Sequence, residues 1–349
     1  MIKSLLIALS CLVLLVLSGS GLWAWQGLQT LTTPQDFEQP VLFEVPSGTA
    51  FDSVARRLEA EGLTSDSLWL RLHGRLYPDQ TRVKAGEYEF SPGMSSLQML
   101  AMMVRGDTKS WSVQFIEGWR FSDLRVALAG HPELEQVTAN WTDERIMAEL
   151  GAEGEHPEGR FFPDTYLFKS SDSDLDILRR AFERMNTVLA EEWARRSEDL
   201  PYETPYEALI MASIVEKETG APYERDQVAG VFVRRLRQGM RLQTDPTVIY
   251  GMGDSYQGGI SRKDLRTTTP YNTYRISGLP PTPIALPGRE AIHAALNPGQ
   301  GEALYFVAKG DGTHKFSKTL EEHQKAVRAY QLQRRSDYRS SPAPEPREP

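Results

Sequence analysis

The first apolar pattern along the chain is unbroken. From Ser4 to Leu28 no charge interrupts a run dense in Leu, Val, Ile and Ala, enough for one membrane-spanning helix of about 20 residues. Trp23 and Trp25 stand near its far end, where aromatic side chains anchor at an interface. Met1-Ile-Lys3 places the short end in the cytoplasm, so the rest of the chain is expected outside it, in the periplasm where the cell has one. A cleaved signal peptide with Ser18-Gly-Ser20 as its cleavage site is the weaker reading, because the apolar run continues through Gly21-Leu-Trp-Ala-Trp25. Residues 1–28 are thus read as a cytoplasmic tip with an inner-membrane anchor. Residues 29–40, polar with two prolines, are read as a tether.

The pattern then changes to short mixed elements, an α+β layout. Val41-Leu-Phe-Glu-Val45 reads as a strand and Pro46-Ser-Gly48 as a turn, and Phe51, Val54, Ala55 and Leu58 mark an amphipathic helix. A helix carrying Leu68, Leu70 and Leu72 follows, then a strand Glu87–Phe90 and a helix Ser95–Arg105. The order strand, helix, helix, strand over 41–108 resembles the LysM glycan-binding module; a small packing domain without a ligand fits the pattern as well. From 109 to 335 a larger mixed domain is expected. It opens with a strand 111–116 and a helix through Leu124 and Leu128, and after a Gly/Glu/Pro-rich break continues into a long helix 175–196. Helices 223–239 and 289–296, strands 303–309 and 313–317 and a helix to about 335 complete it. Arg234, Arg235 and Arg237 read as a solvated face. The aperiodic stretches 240–253 and 267–288 read as binding or active-site loops, the second with seven prolines and glycines from Pro270 onward. Residues 336–349 read as a proline-rich disordered tail.

One stretch departs from all of this. Tyr206 through Val215 is apolar on every side, the pattern of a helix buried all round. Then Glu216, Lys217 and Glu218 arrive together, just before the stop signals Gly220 and Pro222. A carboxylate there meets the negative end of the helix dipole, and in apolar surroundings both effects favour its protonated form, the state a general acid needs. Glu218 continues the face of Met211, Ile214 and Val215, while Glu216 lies roughly 200° around the helix. One glutamate can therefore face a cleft while the other is solvated. An ordinary charged helix end would show the same local pattern.

Composition narrows the chemistry. A net charge of −8 over 349 residues argues against a general nucleic-acid binder. The single cysteine, Cys11, lies in the apolar segment, so no intramolecular disulfide is available. Six histidines are scattered without metal-ligand spacing, and no serine-hydrolase elbow or phosphate-binding loop occurs, so no metal or other cofactor is implied. His314 and His323 read better as structural histidines than as auxiliary groups. Glycoside hydrolysis by water usually needs two carboxylates flanking the bond. Glu216 and Glu218 point to different sides, and no spacing rule ties Asp245 or Glu290 to Glu218. A single acid suffices where a hydroxyl of the sugar closes onto its own anomeric carbon.

Ala212-Ser-Ile-Val-Glu-Lys-Glu-Thr219, Arg241-Leu-Gln-Thr-Asp-Pro-Thr-Val-Ile-Tyr-Gly251, Tyr271-Asn-Thr-Tyr274 and Gly278-Leu-Pro-Pro281 with Pro287-Gly288 closely resemble the YceG-like (MltG) family of endolytic murein transglycosylases. The likeness covers nearly the whole chain, including Glu158-Gly159 and Pro163-Asp-Thr-Tyr166. It implies a lytic transglycosylase that cuts nascent peptidoglycan strands internally, with Glu218 as the acid. The order Glu218, Leu242-Gln243, Tyr271-Asn272 is similar to that of lysozyme-like lytic transglycosylases, which implies Gln243, Tyr271 and Asn272 as substrate contacts. Peptidoglycan strands, and synthases of the wall, are the partners implied. Thr282 departs from the glycine common in the family's Gly-Leu-Pro-Pro-Gly. A water-using muramidase and a non-catalytic glycan-binding scaffold are the alternatives.

Overall fold

The computed structural model describes residues 2–332 and 339, and is a mixed α+β structure whose strands form three two-stranded sheets. It divides into two compact units, Met1–Trp111 with Leu167–Ser171, and Ser112–Tyr166 with Asp172–Pro349. The expected tail at 336–349 lies outside the described residues apart from Arg339.

The first unit begins with helix α1, Ile2–Thr32. Within it Leu9–Thr32 is long and apolar enough to cross a membrane, and Leu12, Leu14, Leu15, Val16 and Leu17 are exposed. The stretch 29–40, expected as a tether, is different in the structure. The helix runs to Thr32 and Leu31 is buried in the core of the unit. Trp23 lies 4.4 Å from Trp69, centroid to centroid. Gly27 sits so close to the Trp69 ring that a Cβ there would meet it at 2.1 Å. Leu28 and Leu31 extend the apolar spacing beyond the point where polar composition suggests a linker, and only the residue before Pro34 is forced out of helix. Past it, the Gln35 N–H bonds Met94 O at 3.0 Å.

Strand β1 (Val41–Val45) pairs antiparallel with β2 (Gly86–Phe90), in register from Val41 opposite Phe90 to Val45 opposite Gly86. Alternation turns Phe43, Val45, Tyr88 and Phe90 inward. Helices α2 (Phe51–Ala60), α3 (Ser67–Leu76) and α4 (Ser96–Arg105) supply Leu58, Leu70, Met99 and Met103 to the same core. A Ser95/Gln98 capping box starts α4, and Gly106 ends it in the left-handed conformation.

Strand β3 (Trp111–Gln114) is two residues shorter than expected and is followed by α5 (Phe121–Ala129) and α6 (Asp143–Glu149). Its partner β4 (Thr165–Phe168) falls in a stretch to which the sequence assigned no element. Then come α7 (Asp174–Ala194) and α8 (Pro205–Glu218). A Thr204/Glu207 capping box and Pro205 in the first turn start α8, and every residue from Ala208 to Val215 is buried. The core around it draws Phe232 and Val228 from α9 (Arg225–Arg237) and Ile292, Ala295 and Leu296 from α12 (Arg289–Leu296). Replacing Leu209 or Ile214 by alanine there would cost about 2–5 kcal/mol.

Between α9 and α12 lie α10 (Asp245–Met252) and the short α11 (Arg262–Arg266). Helix α10 corrects the reading of 240–253 as a loop: Asp245 and Pro246 begin a helix, but it is short and Gly251 and Gly253 break the periodicity at its end. Strands β5 (Tyr305–Ala308) and β6 (His314–Ser317) form the third sheet, and α13 (Leu320–Tyr330) ends the described fold.

Two arginines of α9 are not a solvated face. Arg234 donates to Ala303 O and Gly299 O, and Arg235 donates to Leu304 O and Leu242 O, so both fasten α9 to the backbone around it. The helix comes so near Gly299 that a Cβ at Gly230 would stand 2.4 Å from the Gly299 carbonyl oxygen, which only glycine allows.

Candidate active site

Glu218 is the last residue of α8, with Thr219 in extended backbone behind it. It opens onto a cleft of about 560 Å³ lined by, among others, Lys217, Gln243, Asp245, Tyr274 and His314. Its Oε2 accepts a 2.7 Å hydrogen bond from the Thr244 hydroxyl. Desolvation pushes the Glu218 carboxyl up to about 7; Asp245 adds to the shift, and the Thr244 hydroxyl and Arg235 oppose it. The C-terminal end of α8 acts in the same direction as desolvation. A half-buried acid that carries its proton near neutral pH and faces a cleft can protonate a leaving group.

Each group around Glu218 is held from behind. Lys217 donates to Gly118 O at 3.0 Å, and Asp245 accepts the Tyr274 phenol at 2.7 Å. Gln243 is exposed on the cleft wall with φ of 51°, one of two non-glycine residues at positive φ among those described. That conformation stores about 1–3 kcal/mol, the kind of strain that collects at functional sites.

The structure brings Gln243 to Glu218 but does not bring Tyr271 or Asn272 there. Asn272 is 1% exposed. Its amide donates to Asp264 O, Leu265 O and Thr267 O, and its carbonyl oxygen accepts from the Tyr274 N–H. A side chain so fully engaged shapes its own loop and has nothing left for a ligand. The next residue, Thr273, accepts from the Thr244 N–H at 3.1 Å, and Thr244 holds Glu218. Asn272 thus acts on the acid through Thr273 and Thr244. Tyr271 bonds the Thr282 hydroxyl at 2.9 Å and packs edge-on to Tyr250. Thr282 is not among the positive-φ residues, so the missing glycine introduces no strain.

Glu216 is not solvated. Its side chain is 7% exposed, one oxygen accepts the Gly288 N–H at 3.0 Å, and the other lies 3.4 Å from Arg225. Burial raises its carboxyl above the usual range. It joins α8 to the N-terminus of α12, where a negative charge is favoured.

A third glutamate shows how perturbed a structural carboxyl can be. Glu158 is 4% exposed. Its two oxygens accept the Phe121 N–H at 2.9 Å and the Tyr250 hydroxyl at 3.1 Å. Desolvation pushes it to about 7 as well, against the pull of those two hydrogen bonds and of Arg120. Among the described residues no group of three or more His, Cys, Asp or Glu could hold a metal ion.

Thr244, which bonds the acid itself, was missed by the sequence reading; His314, which lines the cleft, was read there as structural. Thr244 and Tyr274 stand beside Gln243 and Thr273 in the quoted motifs. Nothing local to His314 announces that it lines the same cleft as Glu218, so far back in the chain.

Residues 43–329 match the YceG-like family. An endolytic murein transglycosylase of Bacillus subtilis is 30% identical over 333 residues, covering 90% of this chain and 91% of the relative. One of Streptococcus pneumoniae is 26% identical over 356 residues, and the match spans 63% of that longer protein. A crystal structure of a YceG-like protein from Listeria monocytogenes superimposes with a TM-score of 0.54 at 30% identity, over 82% of this chain and 98% of that one. The match over most of its length, by sequence and by fold, places this chain in the YceG-like family.

Proposed function

We propose that the protein is an endolytic murein transglycosylase in which Glu218 protonates the glycosidic oxygen between N-acetylmuramic acid and N-acetylglucosamine. The carrying observation is the protonatable Glu218 on the cleft wall. As the C1–O4 bond breaks, the O4 oxygen leaves with the proton from Glu218, and the muramic acid passes through an oxocarbenium-like state. Its C6 hydroxyl then bonds to C1 and gives its proton to the Glu218 carboxylate, restoring the acid. The products are a 1,6-anhydro end and a new non-reducing end, and a cut within a nascent strand ends its elongation. The names of the bacillary and streptococcal relatives support this reading. Gln243 is the substrate contact retained from the sequence. Tyr271 and Asn272 are assigned to holding the loop.

Helix α1 is proposed as a single-pass anchor in the inner membrane, with the rest of the first unit and the second unit in the periplasm. The β1–α2–α3–β2 order supports a LysM-like module for residues 41–108. Peptidoglycan strands are the substrate, and wall synthases are candidate protein partners.

One observation favours a second reading. Asp245 lies on the same cleft as Glu218, as the second carboxylate of a water-using muramidase would. Its oxygen accepts the Tyr274 phenol, which suits a brace better than a base. Mass spectrometry of digests of uncrosslinked glycan separates the readings. Anhydro ends that persist in Asp245→Asn support the transglycosylase, reducing ends the muramidase, and binding without shortening a scaffold.

A further inference from the structure

The cleft has a second wall, made by β5, β6 and α13, and His314 stands on it. The His314 backbone N–H donates to both oxygens of Glu224, at 3.0 and 3.1 Å, and its Nδ1 lies 2.8 Å from Glu224 Oε2. Both side chains are nearly enclosed, at 9% and 8% exposure. With the carboxylate as acceptor, Nδ1 carries the proton of the neutral ring, and Nε2 is left with a lone pair. The Phe306 ring meets the imidazole edge-on at 5.4 Å, which fixes its plane.

Most other polar groups on the cleft are already engaged by the protein. Arg235 is held by two backbone carbonyls, Lys217 by Gly118 O, and Asp245 by Tyr274. Nε2 of His314 has no protein hydrogen bond among the described residues. A histidine needed only to join β6 to the start of α9 would not have to line the space that holds the acid.

We infer that His314, oriented by Glu224, is a substrate contact of the transglycosylase: its Nε2 accepts a hydrogen bond from a hydroxyl or acetamido N–H of the amino-sugar strand bound against Glu218. This rests on the proposed function, and Glu224 is its positioning residue. Loss of one such acceptor weakens binding about tenfold.

Asparagine overlays Nδ1 and can keep the Glu224 partner, whereas glutamine places its amide near Nε2, so the pair separates a brace from a contact. In the full chain carrying Glu218→Gln, adding His314→Asn is expected to weaken binding of fluorescently labelled uncrosslinked glycan about tenfold with an unchanged melting temperature. Adding His314→Gln should restore most of that affinity. Should His314→Asn fail to fold, Glu224→Gln, which keeps one acceptor oxygen, is expected to weaken binding about threefold. Unchanged affinity in folded His314→Asn, or in Glu224→Gln where that variant stands in, overturns the inference. In the otherwise native chain, His314→Asn should raise KM more than it lowers kcat. Absence of anhydro ends from the unmutated chain would overturn the proposed chemistry instead, while the binding arm would still decide His314.

Discussion

Glu218 and Glu158 belong to the same unit, and desolvation pushes both carboxyls up to about 7. They differ in what is left over. Glu158 has both oxygens bonded within the fold and is 4% exposed, whereas Glu218 has a single bond from Thr244 and opens onto the cleft. A raised carboxyl marks burial, and burial alone serves structure as readily as catalysis. An acid can act only if an unengaged oxygen meets a space the substrate can enter.

The sharpest way to break the comparison is to neutralise each member in turn. Glu218→Gln should leave the fold intact and lower the release of anhydro ends by about 10²–10⁴-fold, read by mass spectrometry. Glu158→Gln should do the opposite. A glutamine offers one acceptor oxygen to two buried donors, so unfolding should become easier by about 1–3 kcal/mol while the product stays the same. Denaturant titration beside the product assay reads both; equal loss of activity in the two variants would erase the distinction.

Stability against pH gives the next largest effect. Both groups have folded values near 7 against an ordinary 4.5, so the folded chain holds these protons more tightly than the unfolded one. Their stabilising contribution is complete below pH 4.5 and is lost as pH rises through 7. Denaturation midpoints should fall over that window, and Glu158→Gln should remove roughly half of the fall. Activity should decline over the alkaline part as Glu218 gives up its proton. The smallest effect is expected from Thr244→Val. The Thr244 hydroxyl favours the ionised carboxylate, so its removal should move the alkaline limb of the activity profile to higher pH, with the rate at neutrality changing less than about tenfold. A limb that stays in place would mean the bond has no hold on the acid.

The sequence showed α8 and its terminal acid plainly, because an all-apolar helix ending in charge is a local pattern. What surrounds the acid was not local. Glu216 looked solvated because its partners, Arg225 and Gly288, lie beyond the helix end. Asn272 was read as a contact from its place in a motif, but its partners are loop carbonyls whose convergence no periodicity reports. Arg235 looked wet for the same reason: the carbonyls of Leu242 and Leu304 approach it only after folding. Strand β4 went unseen because its four residues carry no turn signal of their own, only a pairing made possible by β3.

The continuity of α1 into the first core has a mechanical consequence. With Gly27 flush against Trp69 and Leu31 inside the core, the apolar helix is packed directly onto the core that β1 and β2 share. If that helix spans the bilayer, the small sheet is carried at a set height above the lipid like a flag on a short pole.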